Sequence, residues 1–151
     1  TCSALHQVIL ASPEQVAAAK DLGIPGIRHG DLRTTLGELA PGSLDVIILF
    51  DLFHYFDKNE QMAIADAVFR ALKPGGRLVY ATCSLLREEN EAIAQAFGEA
   101  QKDAFRPLPV EELLAAAHVA GGAELVREGF LRLWPQRHGT DGFFAAAWQK
   151  I

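Results

Sequence analysis

Short apolar runs alternate with longer segments of helical periodicity along most of the chain. The apolar runs cover residues 7–11, 24–29, 45–50 and 77–82. This alternation is typical of a mostly parallel sheet with helices on both faces. The run DVIILF, residues 45–50, is apolar almost throughout, which predicts a strand that is buried on both of its faces.

Helix-start signals precede two of the helical segments. Ser12 offers an N-cap before Pro13 and an Ala-rich stretch that stops at Gly23. Asp57 with Glu60 forms a D-x-x-E capping pattern ahead of a helix that ends at the LKPGG sequence. Further helices are predicted over residues 34–39, over 87–100 with Ile93, Ala96, Phe97 and Ala100 facing inward, and over 110–120.

The C-terminal tail has a different pattern. Residues 130–135 and 142–150 are two apolar segments separated by QRHGTD, close enough to pair as an antiparallel hairpin at one edge of the sheet. There is no internal repeat, low-complexity tract or linker. The pattern therefore predicts a single domain over residues 1–151 with a doubly wound α/β fold and a C-terminal antiparallel hairpin.

Composition limits the class of protein. A chain of 151 residues that is 50% hydrophobic can hide roughly 70% of its unfolded surface in one core. No apolar run approaches the ~20 residues of a membrane span, and the start lacks the features of a secretory signal, so a cytoplasmic location is expected. The chain begins with Thr rather than Met, which suggests a processed product or a piece of a longer protein.

The two cysteines, Cys2 and Cys83, form no CxxC motif and no Cys/His cluster at zinc spacing. We therefore expect two free thiols, with neither a disulfide framework nor a metal site.

The net charge of −5 and the pI of about 5.5 give no overall field that would attract a phosphate backbone. The charge counts against RNA binding by this piece alone. A local basic cluster of Arg127, Arg132, Arg137 and His138 is possible, although a solvated strand edge is the interpretation that such residues favour.

Ligands of open α/β sheets bind beyond the carboxyl ends of the strands, where Asp31, Asp51, His54 and Cys83 are expected. The two aspartates could instead cap the helices that follow them. His54 lies in the aromatic run FDLFHYF, which favours a packing role. The thiolate of Cys83 could be stabilised by the N-terminus of a following helix, which would lower its pKa, and an inert core cysteine is the alternative.

Two segments carry a family resemblance. ALKPGGRLVYATCSLLREENE (71–91) and LRLWPQRHGTDGFFAA (131–146) resemble the C-terminal part of the catalytic domain of bacterial ribosomal RNA cytosine-5 methyltransferases. The resemblance implies a Rossmann-like fold, S-adenosylmethionine as cofactor and RNA as partner. It also implies that Cys83, in the TCS sequence, is a nucleophile that adds to C6 of an unstacked cytosine, with Asp51 as the nearest candidate for the acid at N3.

The first half of the chain departs from that family. The family has Asp-Ala-Pro-Cys before the nucleophile strand, whereas FDLFHYF here resembles small-molecule methyltransferases. Leu10 stands where an acid would bind the cofactor ribose, and no Gly-rich turn precedes it. Asp31 matches the adenine-side position, and Asp51 is a further candidate for cofactor binding. Three interpretations stay open: an RNA cytosine-5 methyltransferase-like domain, a small-molecule methyltransferase, and a non-catalytic Rossmann-like scaffold that is a fragment, a degenerate copy or a chimera.

Overall fold

The computed structural model describes residues 9–10, 13–23, 27–28 and 30–151. The chain divides into two compact units, Thr1–Leu39 and Ala40–Ile151, which we call the N-terminal and C-terminal units. The assignment of residues 1–151 to a single domain stays a prediction.

The N-terminal unit has a β-α-β-α order, as the alternating pattern predicts. Strands β1 (Ile9–Leu10) and β2 (Ile27–Arg28) pair in parallel, and they are followed by helices α1 (Pro13–Asp21) and α2 (Leu32–Glu38), respectively. Gly23 lies just past α1 with a φ of 68°, a left-handed backbone conformation that favours glycine at a helix end. The other residues of the two predicted strands, and Ser12, lie outside the described residues.

The C-terminal unit contains a six-stranded mixed sheet. Its strands are β3 (Leu44–Phe50), β4 (Leu72–Thr82), β5 (Phe105–Pro107), β6 (Val126–Arg127), β7 (Phe130–Leu133) and β8 (Phe143–Lys150). The order is β3-β4-β8-β7-β6, and β5 also pairs with β8. The β3–β4 pair is parallel, while the four other pairs are antiparallel.

This topology confirms the α/β class and corrects two details. The large sheet is mixed rather than mostly parallel, because four of its six strands follow β4 in the chain and pair antiparallel. Strands β7 and β8 pair as an antiparallel hairpin, as predicted, but β8 lies inside the sheet between β4 and β7 rather than at its edge. The apolar sequence of β8 suits this interior position, since its residues from 144 to 148 are mostly buried.

The helices of the C-terminal unit are α3 (Lys58–Ala71), α4 (Glu91–Ala100), α5 (Val110–Ala116) and α6 (Pro135–His138). The predicted capping box is present at α3: Glu60 N donates to Asp57 Oδ1 at 2.9 Å, and Asp57 N donates to Glu60 Oε2 at 3.1 Å. These bonds satisfy backbone N–H groups that have no partner within the helix. The cap therefore fixes where α3 begins.

Helix α4 begins later than the sequence pattern predicts. Residues 87–90 form a hydrogen-bonded turn, and the helix starts at Glu91. Its buried positions are Glu91, Ala94 and Phe97, whereas Ala96 and Ala100 are exposed. The predicted inward face is thus correct at Phe97, and the helix is rotated so that a glutamate takes one of the buried positions.

One face of the sheet is covered and the other is open at β3. Helix α4 packs on the face that carries Leu49, with the ring of Phe97 at 4.8 Å from that of Trp148. On the opposite face of β3, Val46, Ile48 and Phe50 are 44%, 62% and 51% exposed. The prediction that this strand is buried on both faces is therefore wrong for that face: Ile47 and Leu49 are buried, and the three residues that alternate with them point to the other, open face.

No helix among the described residues is long and apolar enough to cross a membrane.

Candidate functional site

Asp51 and Cys83 meet at the carboxyl edge of the parallel pair β3–β4. The two strands pair with Phe50 opposite Ala81, and Asp51 N donates to the carbonyl oxygen of Ala81 at 2.8 Å. Cys83 Sγ donates to Asp51 Oδ2 at 2.7 Å, and Cys83 N donates to Asp51 Oδ1 at 3.3 Å. The structure thus brings together two site residues that are 32 positions apart in the sequence.

The aspartate holds the cysteine in its thiol form. The hydrogen bond to Asp51 is the largest cause that raises the pKa of Cys83 above its ordinary value, and desolvation and the negative charges of Asp51 and Asp141 act in the same direction. Neither alternative that the sequence leaves open for Cys83 holds. The next helix begins only at Glu91, too far along the chain for its N-terminus to lower this pKa, and Cys83 is exposed rather than in the core. At rest, the site is a thiol bonded to a carboxylate.

The backbone of Asp51 is strained. Its φ is 52°, in the left-handed region that residues other than glycine seldom adopt. Such conformations cost free energy and occur often at functional sites. Here the conformation accompanies the two bonds between the Asp51 carboxylate and Cys83.

A buried polar network holds the segment that follows Cys83. Thr82 and Asn90 are both fully buried, and Thr82 Oγ1 donates to Asn90 Oδ1. Asn90 Nδ2 donates to the carbonyl oxygen of Ser84 at 2.9 Å, and Ser84 N donates to Thr82 Oγ1 at 3.2 Å. Asn90 of the REEN sequence therefore holds the cysteine loop, residues 83–86, by hydrogen bonds.

Arg132 belongs to the same network, since its Nη1 lies 3.4 Å from the carbonyl oxygen of Ser84. Both the solvated strand edge that the sequence favoured and the possible basic cluster are therefore wrong for this residue. Arg132 is 3% exposed, whereas Arg127 and Arg137 are exposed and His138 Nδ1 accepts a bond from Trp134 N at 2.8 Å. The signal that we missed is a lone charged residue in the apolar sequence FLRLW, at a strand position that alternates with leucines.

His54 contacts aromatic residues, in agreement with the packing interpretation. Its ring lies 4.2 Å from that of Tyr55, and His54 Nδ1 lies 3.2 Å from the hydroxyl of Tyr80. Tyr80 donates its only hydroxyl proton to the carbonyl oxygen of Glu89. His54 Nδ1 must therefore be the donor in its bond to Tyr80.

The candidate cofactor residues in the N-terminal unit do not form a fitting donor set. Asp31 caps α2, since its Oδ1 accepts from Arg33 N and Thr34 N, each at 3.0 Å, and the Thr34 bond lowers the pKa of this exposed carboxyl. Leu10 has no polar side-chain atom to accept a bond from a ribose hydroxyl, and Pro13, which begins α1, has no N–H. The cofactor roles of Asp31, Leu10 and Asp51 stay predictions.

The sequence of the C-terminal unit matches a known family. Residues 52–149, well over half of the chain, match the family described as 16S rRNA methyltransferase RsmB/F. The chain belongs to this family. The matched range includes Cys83, Asn90 and Arg132, and it begins one residue after Asp51. Residues 6–80 also match a family described as Methyltransferase domain.

Relatives named ribosomal RNA small subunit methyltransferase F are similar to 60% of the chain. Ribosomal RNA small subunit methyltransferase F of Escherichia coli O9:H4 (strain HS) is 47% identical over 90 residues, which are 60% of this chain and 18% of the relative. The protein of the same name from Shigella flexneri serotype 5b (strain 8401) is 43% identical, with the same coverage. The chain therefore spans less than a fifth of the length of these relatives.

Solved structures show the fold of this RsmB/F family member. NSun6 from Pyrococcus horikoshii with SFG has a TM-score of 0.58 at 20% identity, covering 91% of this chain and 38% of that one. A SAM-dependent methyltransferase from Aquifex aeolicus has a TM-score of 0.56 at 12% identity, covering 90% and 61%. The chain shares the Rossmann-like fold of these methyltransferases. The family match favours the RNA methyltransferase interpretation over the two alternatives.

Proposed function

We propose that this chain carries the base-activating site of a cytoplasmic, S-adenosylmethionine-dependent RNA cytosine-5 methyltransferase. In this proposal Cys83 is the nucleophile, and Asp51 takes the proton of the thiol and passes it to the base. The observation that carries the proposal is the 2.7 Å hydrogen bond from Cys83 Sγ to Asp51 Oδ2, at adjoining strand ends of an RsmB/F family member.

The chemistry explains why a cysteine and an acid are needed together. Carbon C5 of cytosine is a poor nucleophile, so the ring has to be activated by addition at C6. As the proton moves from Cys83 Sγ to Asp51 Oδ2, the sulfur forms a bond to C6. The C5=C6 electron pair then shifts to form a C4=C5 bond, and the C4=N3 pair moves onto N3, which takes the proton from Asp51. The adduct has high electron density at C5, and the reverse steps release the base.

The raised pKa of Cys83 suits this proton path. A thiol that is bonded to a carboxylate keeps its proton until a substrate arrives, and the same carboxylate is the acceptor that removes it. In this path N3 of a base bound at C6 has to come within hydrogen-bond distance of the Asp51 carboxyl group, which lies next to the sulfur. The exposed position of Cys83 leaves its sulfur accessible to an unstacked base.

S-adenosylmethionine supplies an electrophilic methyl group when it is bound. Because the candidate cofactor residues of the N-terminal unit do not form a fitting donor set, the function is tested by a reaction that needs no cofactor. Addition at C6 makes C5 take up a proton from solvent, so cytosine in D₂O exchanges its C5 hydrogen for deuterium.

The experiment incubates the chain with a single-stranded oligoribonucleotide that contains cytidine, in D₂O, and measures deuterium at C5 by mass spectrometry. We expect exchange with the parent chain, none with Cys83→Ser, and strongly reduced exchange with Asp51→Asn. Cys2→Ser is the thiol control and should exchange like the parent. No exchange by the parent at saturating RNA, or undiminished exchange by Cys83→Ser, would contradict the proposal.

A further inference from the structure

Arg132 is a buried charge with an unusually specific set of partners. It lies on β7 opposite Phe144 of β8, and it is 3% exposed. Its guanidinium carbon lies 4.5 Å from the centre of the Trp134 ring and 5.8 Å from that of Phe144. Burying a cation costs free energy unless it is hydrogen-bonded and paired with an opposite charge. The partners of Arg132 therefore indicate which part of the structure it holds in place.

The hydrogen-bond acceptors of Arg132 are the carbonyl oxygens of the two residues directly after Cys83, and its ion-pair partner is Glu91. Nη2 donates to the carbonyl oxygen of Leu85 at 2.8 Å, and Nη1 lies 3.4 Å from that of Ser84. Nε lies 3.5 Å from Glu91 Oε1, which supplies the opposite charge. The planar guanidinium thus links the cysteine loop to the start of α4 from one side, through groups that lysine could not engage together.

The cysteine loop has no regular secondary structure of its own. Residues 83–86 lie between β4 and the turn at 87–90. Leu86 N donates to Ser84 Oγ inside the loop, whereas the carbonyl groups of Ser84 and Leu85 are bonded by side chains from outside it. Asn90 and Arg132 both bond the carbonyl oxygen of Ser84. Cys83 itself is exposed, and the hydrogen bonds from its N and Sγ both go to the carboxylate of Asp51.

We propose that Arg132 is a positioning residue, which fixes the loop after Cys83 so that Cys83 Sγ faces the carboxylate of Asp51. Arg132 touches neither reacting group and acts through the carbonyl groups of Ser84 and Leu85. Its consequence for catalysis rests on the function proposed above, but the geometry that it sets can be measured without RNA or cofactor.

The test compares Arg132→Lys with Arg127→Lys, both in a Cys2→Ser background where Cys83 is the single thiol. Lysine keeps the charge opposite Glu91 but lacks the planar fork that reaches the carbonyl oxygens of Ser84 and Leu85 together. Arg127 lies exposed on the neighbouring strand β6 and is the matched control. The readout is the rate of alkylation of Cys83 by iodoacetamide as a function of pH.

In the parent, Asp51 raises the pKa of Cys83 and slows alkylation near neutral pH. If Arg132 positions the sulfur, Arg132→Lys should move the profile to lower pH and speed alkylation at pH 7 by about threefold or more, since thiolate is the reacting form. Arg127→Lys should match the parent. A lower urea midpoint for Arg132→Lys with an unchanged alkylation profile would mean a purely structural role and overturn the proposal.

A second variant keeps the proposal testable if Arg132→Lys does not fold. Arg132→Met with Glu91→Gln removes both charges together, which proteins often tolerate. Its alkylation profile should move in the same direction, and a profile identical to the parent would also overturn the positioning role.

The C5 exchange assay separates this inference from the proposed function. A shifted alkylation profile with no exchange by the parent would support positioning and reject the function. C5 exchange by the parent, together with an alkylation profile that is unchanged in both Arg132 variants, would support the function and reject positioning. If both ideas hold, Arg132→Lys should slow exchange at saturating RNA on the order of tenfold to a hundredfold, as misplaced reacting groups do.

Discussion

Replacing Glu91 with Gln removes the negative charge opposite the buried guanidinium of Arg132 while keeping the size of the side chain. The side chains of Glu91 and Arg132 are only 10% and 4% exposed, and the closest N–O distance between them is 3.5 Å. At that distance two unit charges attract by about 5 kcal/mol for an effective dielectric constant of about 20. The substitution loses this attraction and leaves a buried cation without an opposite charge.

Several contacts reduce the net cost. Arg132 keeps its bonds to the carbonyl oxygens of Ser84 and Leu85 and its contact with the Trp134 ring. The pair is also not fully hydrogen-bonded, because Glu91 Oε2 and Arg132 Nε have no hydrogen-bond partner among the described residues. Breaking a buried pair from one side costs about 3–5 kcal/mol. We therefore expect Glu91→Gln to lower the free energy of unfolding by about 3 kcal/mol, at the low end of that range.

Urea unfolding followed by tryptophan fluorescence measures this change. Trp134 and Trp148 both lie in the C-terminal unit, so the signal reports the unit that contains the pair. Glu88→Gln is the matched control, since Glu88 is exposed three residues away, and it should change stability by no more than about 0.5 kcal/mol. A loss below about 1 kcal/mol for Glu91→Gln would refute the argument that the two charges are coupled.

Four further substitutions test individual contacts. Asp51→Asn should speed iodoacetamide alkylation of Cys83 at neutral pH while it slows C5 exchange: the carboxylate raises the thiol pKa, so thiolate forms at lower pH without it. An Asp51→Asn variant in which the alkylation rate and the exchange rate both rise, or both fall, would contradict the proton path. Gly76→Ala should destabilise the protein by about 1–3 kcal/mol in urea unfolding, because a Cβ there would lie 2.8 Å from a backbone carbonyl oxygen. Gly98→Ala, inside α4 with only an ordinary 3.6 Å contact, should instead stabilise it by about 0.5–1 kcal/mol. Asp57→Ala removes the capping box of α3 and should cost about 1 kcal/mol in the same assay.

The local features of the chain could be predicted because short-range forces decide them. The Asp57 cap, the start of α1 at Pro13 and the pairing of β7 with β8 depend on residues that are close in the sequence. The TCS motif makes Cys83 the candidate nucleophile, a role that stays a prediction, and the predicted place of Cys83 just after a strand is confirmed. The start of α4 was misplaced by four residues, since polar side chains of REEN form a turn and a buried network instead of a first helical turn.

The site itself depends on contacts that no local pattern specifies. The sequence by itself determined the α/β class, most of the strands and helices, the RNA methyltransferase resemblance and the position of Cys83. Only the tertiary structure decided that Asp51 and Cys83 are bonded, that this bond raises rather than lowers the thiol pKa, and that Arg132 is buried against the cysteine loop. The reason is physical: strand order and the pairing of buried polar groups are set by interactions between distant residues, and a charge in an apolar strand becomes favourable only when folding places its partners around it.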